Sequence, residues 1–402
     1  MTAMAARLLL LAPALASSIV VYQRAVVGAQ HASSMDPEGR KHLTCLGRGR
    51  GNETADEFLS QCKACRLYGT DVPRIYIKEG KDGVGSRFHE VIAGMAMAAH
   101  VHMALGGVIV GPKSCHQSHG FDTFKAVSTF FNITDPNLLL TTHDPGFSQT
   151  HPKFQSFEKT LKQFGLPKSK SNIFIPSHCL ACELDKRGSA SSWYTPELLY
   201  ALRTSFIWRS PLAFKTGVTS IAIHIRRGDV KENKSAAPTS EAGKIWSMRG
   251  VSDAWYFSLI AQISGTCAPD ADIHVFSSLE GNWNSSDFDG YRERGATVHL
   301  DGDPMEAWAH FVAADVLVMA KSSFSHVPAL LNDNCVVYQP YMHLPLDGWV
   351  SAQANDSAPL AAQAAEDLRH CVASRARRRR AETALQAAPG AAPRPGLQHQ
   401  TA

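Results

Sequence analysis

Six residues near the middle of the chain, His224-Ile225-Arg226-Arg227-Gly228-Asp229, carry the strongest chemical signal in the sequence. They continue the apolar run Ser220-Ile221-Ala222-Ile223, which reads as a buried strand, so both guanidinium groups stand where a strand ends. Two adjacent Arg are costly to bury without anionic partners. A guanidinium presents a planar fork of N–H donors to phosphate oxygens, which suits Arg226 and Arg227 to a diphosphate. The competing role is an internal ion pair for one of the two, with Asp229 as the nearest acid. Arg227-Gly228-Asp229 also spells an adhesion tripeptide, but that motif needs an exposed loop rather than a strand end.

Three weaker signals accompany it. Ser322 and Ser323 follow the apolar run Val316-Leu317-Val318-Met319, where hydroxyls and the first N–H groups of a helix make a phosphate-sized anion site. Simple N-capping is the plainer role for either serine. Gly83-x-Gly85, followed by Arg87 and His89, is a glycine turn that admits close backbone approach. It lacks the third glycine and the downstream acid of a dinucleotide fingerprint. D-x-D pairs at Asp270/Asp272, Asp287/Asp289 and Asp301/Asp303 are carboxylate pairs that can hold a divalent ion. With the two Arg available to neutralise a diphosphate, a metal is not required.

The elements that must position these groups alternate strand and helix. Arg74–Lys78, Val108–Val110, Ser220–Ile225, Asp272–Ser277, Thr297–Leu300, Val316–Met319 and Cys335–Tyr338 read as strands. Helices are predicted over 87–103 with Ser86 as N-cap, 196–207, 252–263 with Ser252 as N-cap, 305–313, and onward from Ser322 to Leu331. Repeated βα units predict parallel sheets in two α/β domains, with ligands beyond the carboxyl ends of the strands.

Composition bounds the rest. The 402 residues are 44% hydrophobic and 19% charged, which excludes a chain disordered throughout and supplies sizeable cores. One long apolar run, Leu8 to Tyr22 behind Arg7, excludes a multi-span membrane protein. Ala14-Leu15-Ala16 is a small-residue cleavage pattern, so residues 1–35 read as a signal peptide or a signal anchor. Residues 36–70 read as a polar stem, 71–210 as the first α/β domain, and 211–350 as the second. Residues 351–402, rich in Ala, Gln, Pro and Arg, read as a disordered basic tail. That tail holds seven Arg against four acids, which leaves only +1 of the +4 net charge for the body. A nucleic-acid partner is therefore not indicated. Five N-x-S/T sequons (Asn52, Asn132, Asn233, Asn284, Asn355) and nine Cys point to the secretory pathway. Cys62-x-x-Cys65 and Cys179-x-x-Cys182 together could make a four-thiolate zinc site, but disulfides fit an oxidising lumen better. Spacing does not give their connectivity.

The double-Arg motif in this context resembles the α1,2/α1,6-fucosyltransferase superfamily, whose H-x-R-R-x-D pattern matches His224, Arg226, Arg227 and Asp229. Asp315 through Ser325 resembles that family's later block, in which an acid and an apolar strand lead to paired serines. Gly83-Val84-Gly85-Ser86-Arg87-Phe88-His89 resembles its early glycine loop and helix. The resemblance implies an α/β, GT-B-like fold with two Rossmann-like domains facing a cleft. It implies inverting, metal-independent transfer of fucose from GDP-fucose to a glycan or glycoprotein acceptor in the Golgi lumen, by a type II membrane or secreted protein. By the same resemblance Arg226 and Arg227 contact the donor diphosphate, Ser323 and Ser322 the β-phosphate, and His224 the nucleoside. Glu306 or Asp303 reads guanine, and Asp315, Gly83 and Gly85 belong to the donor-binding blocks. The segment after Asp229 departs from the α1,6 enzymes, so the catalytic carboxylate is left among Asp229, Glu232 and Glu241. A protein O-fucosyltransferase, another GDP-sugar transferase and an inactive glycan-binding relative are the alternatives.

Overall fold

The computed structural model describes residues 74–78, 83–100, 104–109, 139–140, 154–155, 172–175, 179–205, 208, 210–228, 230, 248–280 and 283–387. The expected signal segment and stem lie outside these residues. No helix among the described residues is long and apolar enough to cross a membrane. The chain divides into two compact units, one of residues 1–79 and 90–178, the other of residues 80–89 and 179–402. Both are parallel-sheet α/β units, the class expected from the sequence.

In the first unit β1 (Arg74–Lys78) lies at the centre of a five-stranded sheet. The chain then enters α1 (Val84–His100), whose residues from Glu90 onward belong to this unit. The remaining strands are β2 (Ala104–Ile109), β3 (Leu139–Leu140), β4 (Phe154–Gln155) and β5 (Asn172–Ile175), in the order β3-β2-β1-β5-β4. Every pairing is parallel. Gly94 lets α1 lie directly on β1, because a Cβ there would stand 2.5 Å from Ile77 Cδ1. The helix starts three residues earlier than the sequence suggests, so Ser86 falls in its first turn rather than at its cap.

The second unit opens with three helices, α2 (Leu180–Asp185), α3 (Ala190–Trp193) and α4 (Pro196–Ser205). The sequence reading placed residues 179–210 with the first domain; the contacts place 179–205 with the second. The six-stranded sheet follows: β6 (Ser220–His224), β7 (Asp272–Ser277), β8 (Thr297–Leu300), β9 (Val316–Val318), β10 (Cys335–Tyr338) and β11 (Val350–Ser351). Their order is β11-β10-β9-β6-β7-β8, and every pairing is parallel. Strands β6, β9 and β10 are buried along their whole length, as expected where both faces of a sheet are covered. The order reverses between β6 and β9, which makes their carboxyl ends the switch point where such sheets bind ligands. Ser252 N-caps α5 (Asp253–Thr266) through a 3.1 Å bond from Trp255 N–H, as predicted. Trp255, Tyr256, Leu259, Ile260 and Ile263 of α5 then pack on Ile221, Ile223, Val275 and Val316.

The expected disordered tail is not disordered through residue 387. Strand β11 extends the sheet beyond Tyr338, and α9 (Ala362–Ala387) follows it. Two forces order α9. Leu360, Leu368 and Val372 enter the core, and each such burial contributes about 1.5–3 kcal/mol. Arg375 and Arg379, which belong to the expected disordered basic tail, pair instead with the buried carboxylate of Asp315. A disulfide from Cys335 of β10 to Cys371 then fastens the helix to the sheet.

Two predictions follow from this packing. The Cys335→Ala/Cys371→Ala variant should lose about 2–4 kcal/mol of stability in chemical unfolding, the usual effect of opening a loop of this size. An unchanged midpoint would show that core contacts alone hold α9. The second concerns His299, which stacks on Phe276 (ring centroids 4.5 Å apart) and bonds His274 at 2.8 Å. Burial, with His274 and His310 beside it, pushes His299 down from 6.5 to about 4. Between those pH values the unfolded chain binds the proton more readily, so stability should fall as pH drops from 6.5 through 4. His299→Phe should flatten that part of the melting-temperature profile, and an equally steep decline in the variant would remove His299 from the account.

Candidate functional site

Strand β6 keeps one rung beyond its last residue, Ile225 N–H to Phe276 O at 3.0 Å, and then releases Arg226 at the carboxyl edge. Its neighbour β9 ends at Val318, and Met319 N–H still bonds Val337 O at 3.0 Å. A tight turn follows. Ser322 N–H bonds Ala320 O at 2.7 Å, and Ser325 Oγ closes the turn from inside by accepting from Ala320 N–H at 3.2 Å. Ser322 then N-caps α8 (Ser323–Leu331), accepting from Phe324 N–H at 3.2 Å. Arg226 Nη1 donates to the same hydroxyl at 3.3 Å. The sequence-predicted Arg226, Ser322 and Ser323 thus meet at the switch point.

The first turn of α1 belongs to the same unit and lies against the start of α8. A Cβ on Gly85 would stand 2.3 Å from Phe324 N and 2.5 Å from Ser323 C, so only glycine lets the two helix starts touch. Gly83 supplies the carbonyl that accepts from Arg87 N–H at 3.2 Å. His224 packs its ring on Phe311 and Phe324, with centroids 5.7 and 5.2 Å away. Lys321, half-buried in the turn before Ser322, adds a cation that the sequence reading passed over. Burial lowers its pKa, a cost that a bound anion would offset. A helix N-terminus, Arg226 and Lys321 together make a site suited to phosphate oxygens.

Arg227 does not join this group. It is 4% exposed and its guanidinium is fully engaged inward. It pairs with Asp253, donates to Val251 O and Arg226 O at 3.2 Å each, and lies 4.6 Å from the Trp283 ring centroid. Tyr291, on the short helix α6 (Asp289–Arg292), donates to the same Asp253 carboxylate, and burial followed by that carboxylate raises the Tyr291 pKa, keeping it a neutral donor. The sequence alternative of one internally paired Arg therefore holds, with Asp253 as the partner described. The expectation that Arg227 contacts the diphosphate does not fit this arrangement.

Asp315 is also placed elsewhere. It stands at the amino end of β9, accepting from Ser220 N–H at 2.8 Å and Ser220 Oγ at 2.9 Å beside its two Arg partners. The strand itself separates it from Ser322, so it braces the opposite edge of the sheet. Glu306 is exposed on the first turn of α7 (Pro304–Ala313), beyond the carboxyl end of β8. Asp303 caps α7 through Met305 N–H at 2.8 Å, and Asp301 accepts from Leu279 N–H at 2.9 Å, so both carboxylates of that D-x-D pair serve the backbone. Asp229, Glu232 and Glu241 lie outside the described residues. A carboxylate that the sequence did not single out, Glu280, packs on Gly228, where a Cβ would come within 3.0 Å of Glu280 Cβ. Gly228 has φ +79°, so the turn after the double Arg needs glycine on both counts.

Asp253→Ala should leave the buried Arg227 guanidinium without its counter-charge and lose about 3–5 kcal/mol in urea unfolding. A loss below about 1 kcal/mol would show that the pair is not a brace. Gly85→Ala should lower the melting temperature, because the N-termini of α1 and α8 must part to admit the methyl group, and an unchanged melting temperature would show that the two helix starts can separate freely.

No protein-family model matches the sequence, and no curated protein matches it. The solved structures to which this chain shows similarity include POFUT1 in complex with GDP-fucose, at 11% identity and a TM-score of 0.34. POFUT1 in complex with GDP gives 13% identity and the same TM-score. Each comparison covers 66% of this chain and 95% of the other. A likeness at that level leaves the site to be argued from its own residues.

Proposed function

We propose that this protein transfers fucose from GDP-fucose to a glycan hydroxyl, with inversion at the sugar carbon. The observation that carries the reading is the bond from Arg226 to Ser322 at the N-terminus of α8, on the switch point of a parallel sheet. The donor diphosphate lies across this point, with its β-phosphate toward Ser323 and Arg226. As the bond from fucose C1 to the phosphate oxygen breaks, negative charge gathers on the departing GDP. Arg226, Lys321 and the α8 N-terminus stabilise that charge from fixed positions. The acceptor oxygen bonds to C1 from the opposite side and gives its proton to a carboxylate. Asp229, Glu232 and Glu241 are the candidates for that role in the sequence, and Glu280 joins them through its place against Gly228. Arg227 is a positioning residue, since its network with Asp253 and Tyr291 fixes the backbone from which Arg226 projects. His224 and Glu306 are assigned to the nucleoside, and GDP-fucose needs no metal in this scheme. A secretory address for such an enzyme rests on the sequons and the N-terminal apolar run.

Arg226→Ala should fold with an unchanged melting temperature and lose transfer from labelled GDP-fucose by on the order of 10²–10³-fold. Near-normal turnover in that variant, or wild-type protein that binds neither GDP nor GDP-fucose in calorimetry, would overturn the reading. Among Asp229→Asn, Glu232→Gln, Glu241→Gln and Glu280→Gln, the variant lacking the base should lose the acidic limb of the pH–rate profile while keeping GDP affinity.

A further inference from the structure

A second cluster of chemically capable side chains lies outside the donor site. Cys179 and Cys182 open α2, and His343 comes from the segment between β10 and β11. One nitrogen of His343 and both sulfurs lie within 4.8 Å of one another, and this is the only such trio of metal-ligating groups among the described residues. The two sulfurs are joined as a disulfide. His343 is 4% exposed, and its Nδ1 lies 3.0 Å from Asp185 Oδ2, at the far end of the same short helix. Helix α2 therefore supplies both sulfurs and the carboxylate that orients the imidazole. With Nδ1 held by Asp185, Nε2 is the ligand atom, the arrangement by which carboxylates fix metal-binding histidines.

The neighbourhood supplies an independent sign. The His89 and His326 rings lie 4.2 and 5.2 Å from that of His343. Both nitrogens of His326 and Nδ1 of His89 are buried without a hydrogen-bond partner among the described residues. Buried polar atoms in that state call for a missing partner. Tetrahedral zinc holds sulfur at about 2.3 Å and nitrogen at about 2.0–2.1 Å, which puts neighbouring ligand atoms about 3.3–3.8 Å apart. The trio reaches that spacing by small side-chain movements once the sulfurs are separate.

We propose that Cys179, Cys182 and His343 form a redox-selected metal site, which binds Zn(II) when the two cysteines are reduced and excludes it when they are joined. A thiol reductant delivers two electrons and two protons to the disulfide and leaves as its own disulfide. Zn(II) then displaces both thiol protons to solvent, binds two thiolates and His343 Nε2, and leaves a fourth position for water or a nitrogen of His326. Reoxidation requires the metal to leave, because the thiolate electron pairs that bind it are those that form the S–S bond. Cys179, Cys182 and His343 come from elements other than those that carry Arg226 and Ser322, so this site does not rest on the transferase reading; His326, whose backbone N–H bonds Ser322 O at 3.1 Å, is not required for it.

The full-length chain, reduced with dithiothreitol, desalted and counted for thiols, is titrated with Co(II) as a spectroscopic probe and then with Zn(II) in competition. The expected result is a thiolate-to-cobalt charge-transfer band with tetrahedral d–d absorption, displaced by Zn(II) and abolished by reoxidation. Cys179→Ser/Cys182→Ser should lose the band, and Cys62→Ser/Cys65→Ser should keep it. Asp185→Asn should weaken Co(II) affinity by roughly 10–100-fold. A fully reduced wild-type chain without the band, or a band that survives in Cys179→Ser/Cys182→Ser, overturns the proposal. Should that double variant fail to fold, His343→Gln carries the same test, and unchanged Co(II) affinity in it is equally fatal.

Discussion

The second unit is organised by the parallel pairing of β6 with β9, which puts two chain segments far apart in sequence side by side at one edge. Register decides the outcome. Ile221 faces Val316 and Ile223 faces Val318, so β6 and β9 run out together and their following turns emerge at the same height. A slip of one residue would send Arg226 to the other face of the sheet and take it from Ser322. The fully buried apolar residues of both strands prevent that slip, because it would exchange core contacts for clashes on each side. The chemistry at the edge is thus fixed by aliphatic side chains that never meet a ligand.

Adjacent arginines at this edge divide two tasks. Successive residues at a strand end point in opposite directions, so one guanidinium can serve the open edge only if the other turns inward. The inward one must be compensated, and Asp253 at the first position of α5 does so, with Tyr291 as a second donor on the same carboxylate. The outward one donates to a cap hydroxyl, a neutral partner whose displacement would leave no buried charge behind. Restraint on one side and exchangeability on the other arise from the same dipeptide.

Much of this was legible before any coordinates. The strands Asp272–Ser277, Thr297–Leu300 and Cys335–Tyr338 and the cap at Ser252 emerge where the apolar periodicity and capping chemistry put them. Arg226, Ser322 and Ser323 converge as their types and strand-end positions imply. What the sequence concealed depends on distance along the chain. Asp253 as the partner of Arg227 and Glu280 beside Gly228 are contacts that no local pattern encodes. Asp315 looked like part of a donor block because it precedes the serines, yet β9 carries it to the far edge. The Ala, Arg and Pro content of the C-terminal stretch suggests disorder, but Ala and Arg also favour helix, and a few apolar residues, two ion pairs and a disulfide dock it. Composition describes what a segment prefers alone, and here tertiary contacts supplied the missing preference.

Helix α9 bears on how the protein is made. Strands β6 to β10 leave the ribosome before it does, so for a time Asp315 lacks Arg375 and Arg379, and Cys335 lacks Cys371. The nascent sheet carries an uncompensated carboxylate and an open thiol until the last described helix arrives. Closure of the unit thereby waits for α9: a chain stopped before residue 371 keeps the sheet but lacks the partners of both Asp315 and Cys335.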